Sequence, residues 1–172
     1  VADFLELTGG LNLFVLVQAP GEETLCCGGL IAEACMRGRP PFVAILSDGG
    51  DAADALARQT RAAVAHLGVP ADWLLLLGLR VAATGLLLDA AVRAVAMLTW
   101  RYDCNLIVAP ADDPVAAGVV AATGIRRLGY GAGVPLCSPR GAARRAEALA
   151  LHRPLPPREE RYAWPTAQIA NA

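Results

Sequence analysis

The chain has 172 residues, enough for one domain with a buried core. Hydrophobic residues make up 55% and charged residues 18%, which excludes a disordered polyelectrolyte, and a net charge of −1 without blocks of like charge excludes steering toward nucleic acid or an acidic membrane. All fifteen basic residues are arginine, which excludes lysine Schiff-base chemistry, and five cysteines without CxxC spacing make neither a disulfide framework nor a zinc ribbon.

In chain order, the opening VADFLELTGG has no basic region and no small-residue cleavage site, so no targeting signal is expected. Together with unpaired cysteines this makes a reducing cytoplasm the expected setting. Residues 11–19 are apolar at nearly every position, as a strand buried on both faces should be, and residues 41–48, 73–78 and 105–110 read the same way. Helical spacing predicts helices over 23–37, 51–67 with Gly68 as the stop, 84–101 and 114–128. A short run, VPLCS at 134–138, could add a strand. The alternation predicts an α/β fold: a three-layer, Rossmann-like, doubly wound and mostly parallel sheet. Residues 73–98 are the most apolar stretch, but Arg80, Asp89 and Arg93 interrupt it, so no membrane span is expected. Residues 1–152 read as one α/β domain and 153–172 as a proline-rich C-terminal arm, extended rather than helical, with Tyr162 and Trp164 as its large apolar groups.

In such folds ligands bind outside the carboxyl ends of the strands, where strand order reverses. Those ends carry QAPGEE, SDGG, LGLR and APADDP. These stretches, with TLCCGGLIAEA after the first and VAAGVVAA after the last, resemble in order and spacing the PIG-L/LmbE family of zinc-dependent N-deacetylases. That family opens with A-H-P-D-D-E-T-L-G-C-G-G after its first strand and ends with a D-x-H-x-x-D-H-type motif. The resemblance covers roughly residues 11–153.

What the resemblance implies for the site is loss. The family's first zinc-binding histidine falls on Ala19, its catalytic base on Gly21, and a second aspartate ligand on Glu22, while the glutamate that follows is kept as Glu23. In the later motif the zinc-binding histidine falls on Ala116, the aspartate before it on Val115, and an earlier histidine on Asp113. Zinc is the cofactor the family implies, yet only Glu22 survives as a ligand, whereas catalytic zinc takes three protein ligands and lowers the pKa of bound water. Without an acid at position 21 there is no general base, a group that contributes roughly 100- to 10,000-fold. The implied family member is a non-catalytic one, without catalytic residues or cofactor.

Plainer readings stand beside this one. Glu22 and Glu23 suit the first turn of any helix, where the dipole favours acids. Gly28 and Gly29 suit close packing of a helix on the sheet. Cys26 and Cys27 sit near a helix N-terminus, which can lower a thiol pKa, but most unpaired cysteines are small buried hydrophobes. Asp48, Asp112 and Asp113 share the rim with Glu22 and Glu23; the five carboxylates could rebuild a metal-dependent amide hydrolase, or the aspartates could be ordinary turn residues. His152, in ALALHRP, resembles a histidine that the family carries after an alanine-rich helix. Neither it nor His66 has a partner visible in sequence. The expected function is therefore a deacetylase-like module that binds a protein partner or forms a homo- or hetero-oligomer, Tyr162 and Trp164 being candidate anchors. A small-molecule binder using the vacated pocket is the further alternative.

Overall fold

The computed structural model describes residues 10–48, 50, 53–79, 86–132, 138–152 and 165–170. Leu13–Val17 form β1, in which all five side chains are buried, as a central strand covered on both faces requires. α1 follows over Glu22–Met36, then β2 (Phe42–Ile45), α2 (Ala53–Leu67), a short 3-10 turn at Ala71–Trp73, β3 (Leu74–Leu76), α3 (Leu86–Arg101), β4 (Leu106–Pro110), α4 (Pro114–Thr123), β5 (Arg126–Ala132), α5 (Pro139–Leu149) and β6 (Pro165–Ala170).

The strand order is β3-β2-β1-β4-β5-β6, with β1 to β5 parallel and β6 antiparallel against β5. The chain winds outward from β1 to β3, then restarts beside β1 at β4. The expected doubly wound, mostly parallel fold is therefore what forms. Odd-numbered β1 residues pack with α1, α2 and α5: Val15 and Val17 lie with Ile31, Val64 and Ala148. Even-numbered residues face the opposite layer, where Phe14 and Leu16 lie with Ala91 and Val95 of α3 and Val119 of α4. The two-residue period of the strand thus divides one apolar run into two cores. Among the described residues, no helix is long and apolar enough to cross a membrane.

Two elements differ from the sequence reading. α4 stops at Thr123 rather than continuing to residue 128, because Gly124 adopts φ 70° and its N–H caps the Val120 carbonyl. Arg126–Ala132 form a strand where the sequence reading had the end of a helix; the run 134–138 lies outside the described residues except for Ser138, which caps α5 by accepting from the Gly141 amide at 3.2 Å. Gly28 packs against a helix and not the sheet: a β-carbon there would lie 3.0 Å from the Arg145 side chain of α5, whose Nε donates to the Leu25 carbonyl at 3.0 Å. In the arm, Pro165–Ala170 is extended and pairs with β5 of its own chain, while Tyr162 and Trp164 lie outside the described residues.

Candidate functional site at the strand-end crevice

Strand order reverses between β1 and β4, so the crevice of a doubly wound sheet opens where these two strands end. β1 ends at Val17 and leads into Gln18 and Ala19; β4 ends at Pro110 and leads into Asp113. The Gln18 side-chain amide donates across the crevice to Asp113 Oδ2. The other oxygen of Asp113 accepts from the Ala116 amide at 2.7 Å, which makes this buried aspartate the N-cap of α4. One carboxylate thus closes the crevice and starts the helix.

The β1–α1 turn is held by its own acids. Glu22 Oε2 accepts from the Gln18 amide at 3.1 Å and the Ala19 amide at 3.2 Å, folding the side chain back over the turn. Gly21 has φ 94°, a left-handed conformation that a β-carbon disfavours, so the absence of a side chain here is tied to the path of the backbone. The Gly21 amide donates to Glu23 Oε2 at 2.7 Å.

Glu23 is fully buried, and its second oxygen accepts from the Thr24 hydroxyl at 2.9 Å and lies 3.2 Å from His152 Nε2. His152 Nε2 is also 3.1 Å from Thr24 Oγ1. Sequence alone does not show this cluster, because its members are 128 residues apart; the ALALHRP resemblance was the only pointer. His152 Nδ1 is buried without a hydrogen-bond partner among the described residues. His66 also has a partner, Glu147 Oε2 at 2.9 Å, on the surface between α2 and α5.

The remaining rim residues do not join this assembly. Asp48 Oδ1 accepts from the Gly50 amide at 2.9 Å, an ordinary turn within its own loop, and Asp112 is exposed. Ala116 is fully buried in the apolar cluster with Val115 and Val119, so a side chain at 116 enters the core rather than the crevice. Pro114 and Ala117 are the exposed residues of that turn. Among the described residues, no three of His, Cys, Asp and Glu gather as a metal ion would need.

Cys26 and Cys35 of α1 are not activated. Burial, aided by the neighbouring Glu22 carboxylate, pushes the Cys26 thiol up to about 11, against the pull of Arg145. Burial likewise raises Cys35 to about 11 and, on the far edge, Cys104 to about 12. These thiols behave as small apolar groups.

Two cavities lie at the opposite edge of the sheet, by the strand N-termini. One of about 740 Å³ lies beside Met97 and Trp100 of α3, with Leu11, Cys104 and Ile125 in its wall. A second, of about 300 Å³, lies beside Phe42. The Phe42 ring is stacked between Trp73 and Tyr102, with centroids 4.1 and 4.0 Å away.

No family model matches the chain, and no curated protein matches its sequence. Its likeness is to solved structures. The zinc-inhibited form of teicoplanin deacetylase Orf2 superposes with a TM-score of 0.66 at 12% identity, over 81% of this chain and 83% of that one. N,N'-diacetylchitobiose deacetylase from Pyrococcus horikoshii, in complex with the inhibitor MPG, gives 0.69 at 10% identity, over 88% and 73%. GalB, the 4-carboxy-2-hydroxymuconate hydratase of Pseudomonas putida KT2440, gives 0.63 at 13% identity, over 84% and 80%. One frame therefore carries both deacetylases and a hydratase, and such frames do not dictate a reaction. At these identities the likeness is one of fold, and the fold this chain shares is that of LmbE/PIG-L-type deacetylases.

Proposed function

We propose that this chain is a non-catalytic, deacetylase-like protein that works as a protein-interaction or oligomer-forming module. The observation that carries the reading is the Gln18–Asp113 bond across the switch-point crevice, where such folds receive their ligand. The donor set around it does not suit zinc. Ala19 provides no ligand atom, and Glu22 Oε2 is engaged by two backbone amides. Asp113 is engaged through both oxygens. Catalytic zinc takes three protein ligands with one open position, and among the described residues no such set is supplied. Gly21 leaves no acid to move a proton. What remains is a framework whose polar groups hold the turn and cap the helix.

The rebuilt-carboxylate alternative fares worse on the same ground. Glu23 is fully buried beside His152 and Thr24, Asp48 serves its own loop, and Asp112 points to solvent. The interaction role draws support from α3, where Met97 is 71% and Trp100 85% exposed, an unusual placement for large apolar side chains.

Metal analysis with a zinc titration of the purified chain tests the reading, alongside acetate release from N-acetylated sugars. The expected result is no stoichiometric zinc and no acetate. One equivalent of zinc that disappears in Glu22→Ala, or zinc-dependent acetate release, overturns it.

A further inference from the structure

We propose that the cavity of about 740 Å³ beside Trp100 is a ligand site for a small apolar zwitterion. The ligand is a free amino acid, or a di- or tripeptide with free ends, whose ammonium meets Asp103 and whose carboxylate meets Arg126. The site lies at the opposite end of the sheet from the crevice and is independent of whether chemistry survives there.

The volume falls within the range of small-molecule sites, about 300–1,000 Å³. Leu11 precedes β1, Cys104 precedes β4 and Ile125 precedes β5, so the apolar wall is set by the end of the sheet itself. Met97 and Trp100 flank it from α3 and are largely exposed, which leaves apolar surface for the body of a ligand to cover.

Two charges of opposite sign share this wall. Asp103 and Arg126 both line the cavity, both are exposed, and among the described residues neither forms an ion pair. Charges that would neutralise each other are kept apart, which complements a ligand carrying one charge of each sign. α3 and α4 also end at this cavity, and the partial negative charge of their C-termini adds to Asp103 in favouring the ammonium end.

The backbone of Asp103 singles this cavity out. Its φ of 51° is the only positive value at a non-glycine residue among the described residues. It lies in the turn that closes α3, its amide donating to the Trp100 carbonyl at 3.2 Å, where glycine or asparagine ordinarily supplies the left-handed conformation. Asn12 holds it there from the start of β1: its Nδ2 donates to the Asp103 carbonyl at 3.0 Å and its amide to Asn105 Oδ1 at 2.9 Å. Strained residues fixed by their surroundings concentrate at ligand sites, and here the strain falls on the acid of the cavity wall.

Isothermal titration calorimetry of the full chain with L-leucine, L-phenylalanine and the dipeptide leucyl-phenylalanine tests the assignment. Saturable one-to-one binding of at least one is expected, and the tighter of amino acid and dipeptide gives the length of the ligand. N-acetylated and C-terminally amidated forms should bind about 10-fold more weakly or worse, because each leaves one charge of the site unmet. Asp103→Asn keeps a side chain suited to left-handed backbone, so its melting temperature should stay at or above the parental one while affinity falls about 10-fold or more. Arg126→Gln should weaken the free zwitterions by a similar factor and leave the affinity of the amidated forms unchanged. No saturable heat from any probe up to about 10 mM, capped probes that bind as tightly as free ones, or Asp103→Asn binding at parental affinity would each overturn the proposal. One equivalent of zinc at the crevice would refute the non-catalytic reading and leave this site untouched.

Discussion

His152 offers the most informative single perturbation, because it ties the end of α5 to the first turn of α1. In His152→Ala, Glu23 Oε1 and Thr24 Oγ1 each lose a neighbour within 3.2 Å, in a place where both Glu23 and His152 side chains have no solvent exposure. Leaving a buried polar group short of a partner costs about 1–3 kcal/mol. The vacated ring space adds about 1–2 kcal/mol, since such a site collapses only in part. Against this stands the removal of Nδ1, unpartnered among the described residues, worth about 1 kcal/mol in the other direction. The net destabilisation is about 3 kcal/mol, which for a chain of this size lowers the melting temperature by roughly 6–12 °C. Urea unfolding of the parent, His152→Ala, Glu23→Gln and the double variant would check it, with the double variant less affected than the sum by about 1 kcal/mol or more. Additive losses, or His152→Ala unfolding at the parental midpoint, would refute the idea that these three side chains act as a unit.

Two other perturbations probe the framework. Ser138 Oγ donates to Glu33 Oε2 at 2.7 Å and Arg37 Nε to Oε1 at 3.0 Å, and these bonds hold the Glu33 carboxyl below its ordinary value of 4.5. Because the folded state is the more acidic one, the stabilisation is present above 4.5 and is lost as pH falls through the lower folded value. Glu33→Gln should therefore show a shallower fall in urea midpoint across the acid range than the parent, and equal slopes would contradict the assignment. At the α3–α4 crossing, a β-carbon on Gly118 would lie 2.6 Å from Val92 Cγ2. Gly118→Ala should thus destabilise by about 1–3 kcal/mol despite alanine's better helix propensity, and Val92→Ala should rescue it in a thermal melt.

The sheet was legible because its central strands are covered on both sides, which forces apolar residues at successive positions and leaves a run that sequence shows directly. β5 lacked that signal. It begins Arg126, Arg127, with Gly129 and Gly131 further on, and Arg127 Nη2 donates to the Pro110 carbonyl at 2.5 Å, so its polar head has a partner that only tertiary structure supplies. The end of α4 was written in Gly124, but the apolar residues after it kept the helical pattern alive to residue 128. At the crevice, the turn around Ala19 and Gly21 could be read locally, as can any tight turn. The cross-crevice bond of Gln18 could not, since an amide side chain has no fixed partner in sequence. That Ala116 is buried among Val115 and Val119 is likewise a tertiary fact, which spacing alone does not give.

The margins of the sheet bear on how copies of this protein can meet. β3 closes one side with three residues, which leaves little ladder for a second chain to extend. On the other side β6 opens with Pro165, whose nitrogen carries no hydrogen to donate. A sheet trimmed in this way resists edge-to-edge growth into a continuous fibre-like stack. What such trimmed margins leave open is contact through helical faces, where side chains rather than backbone decide which contacts are allowed.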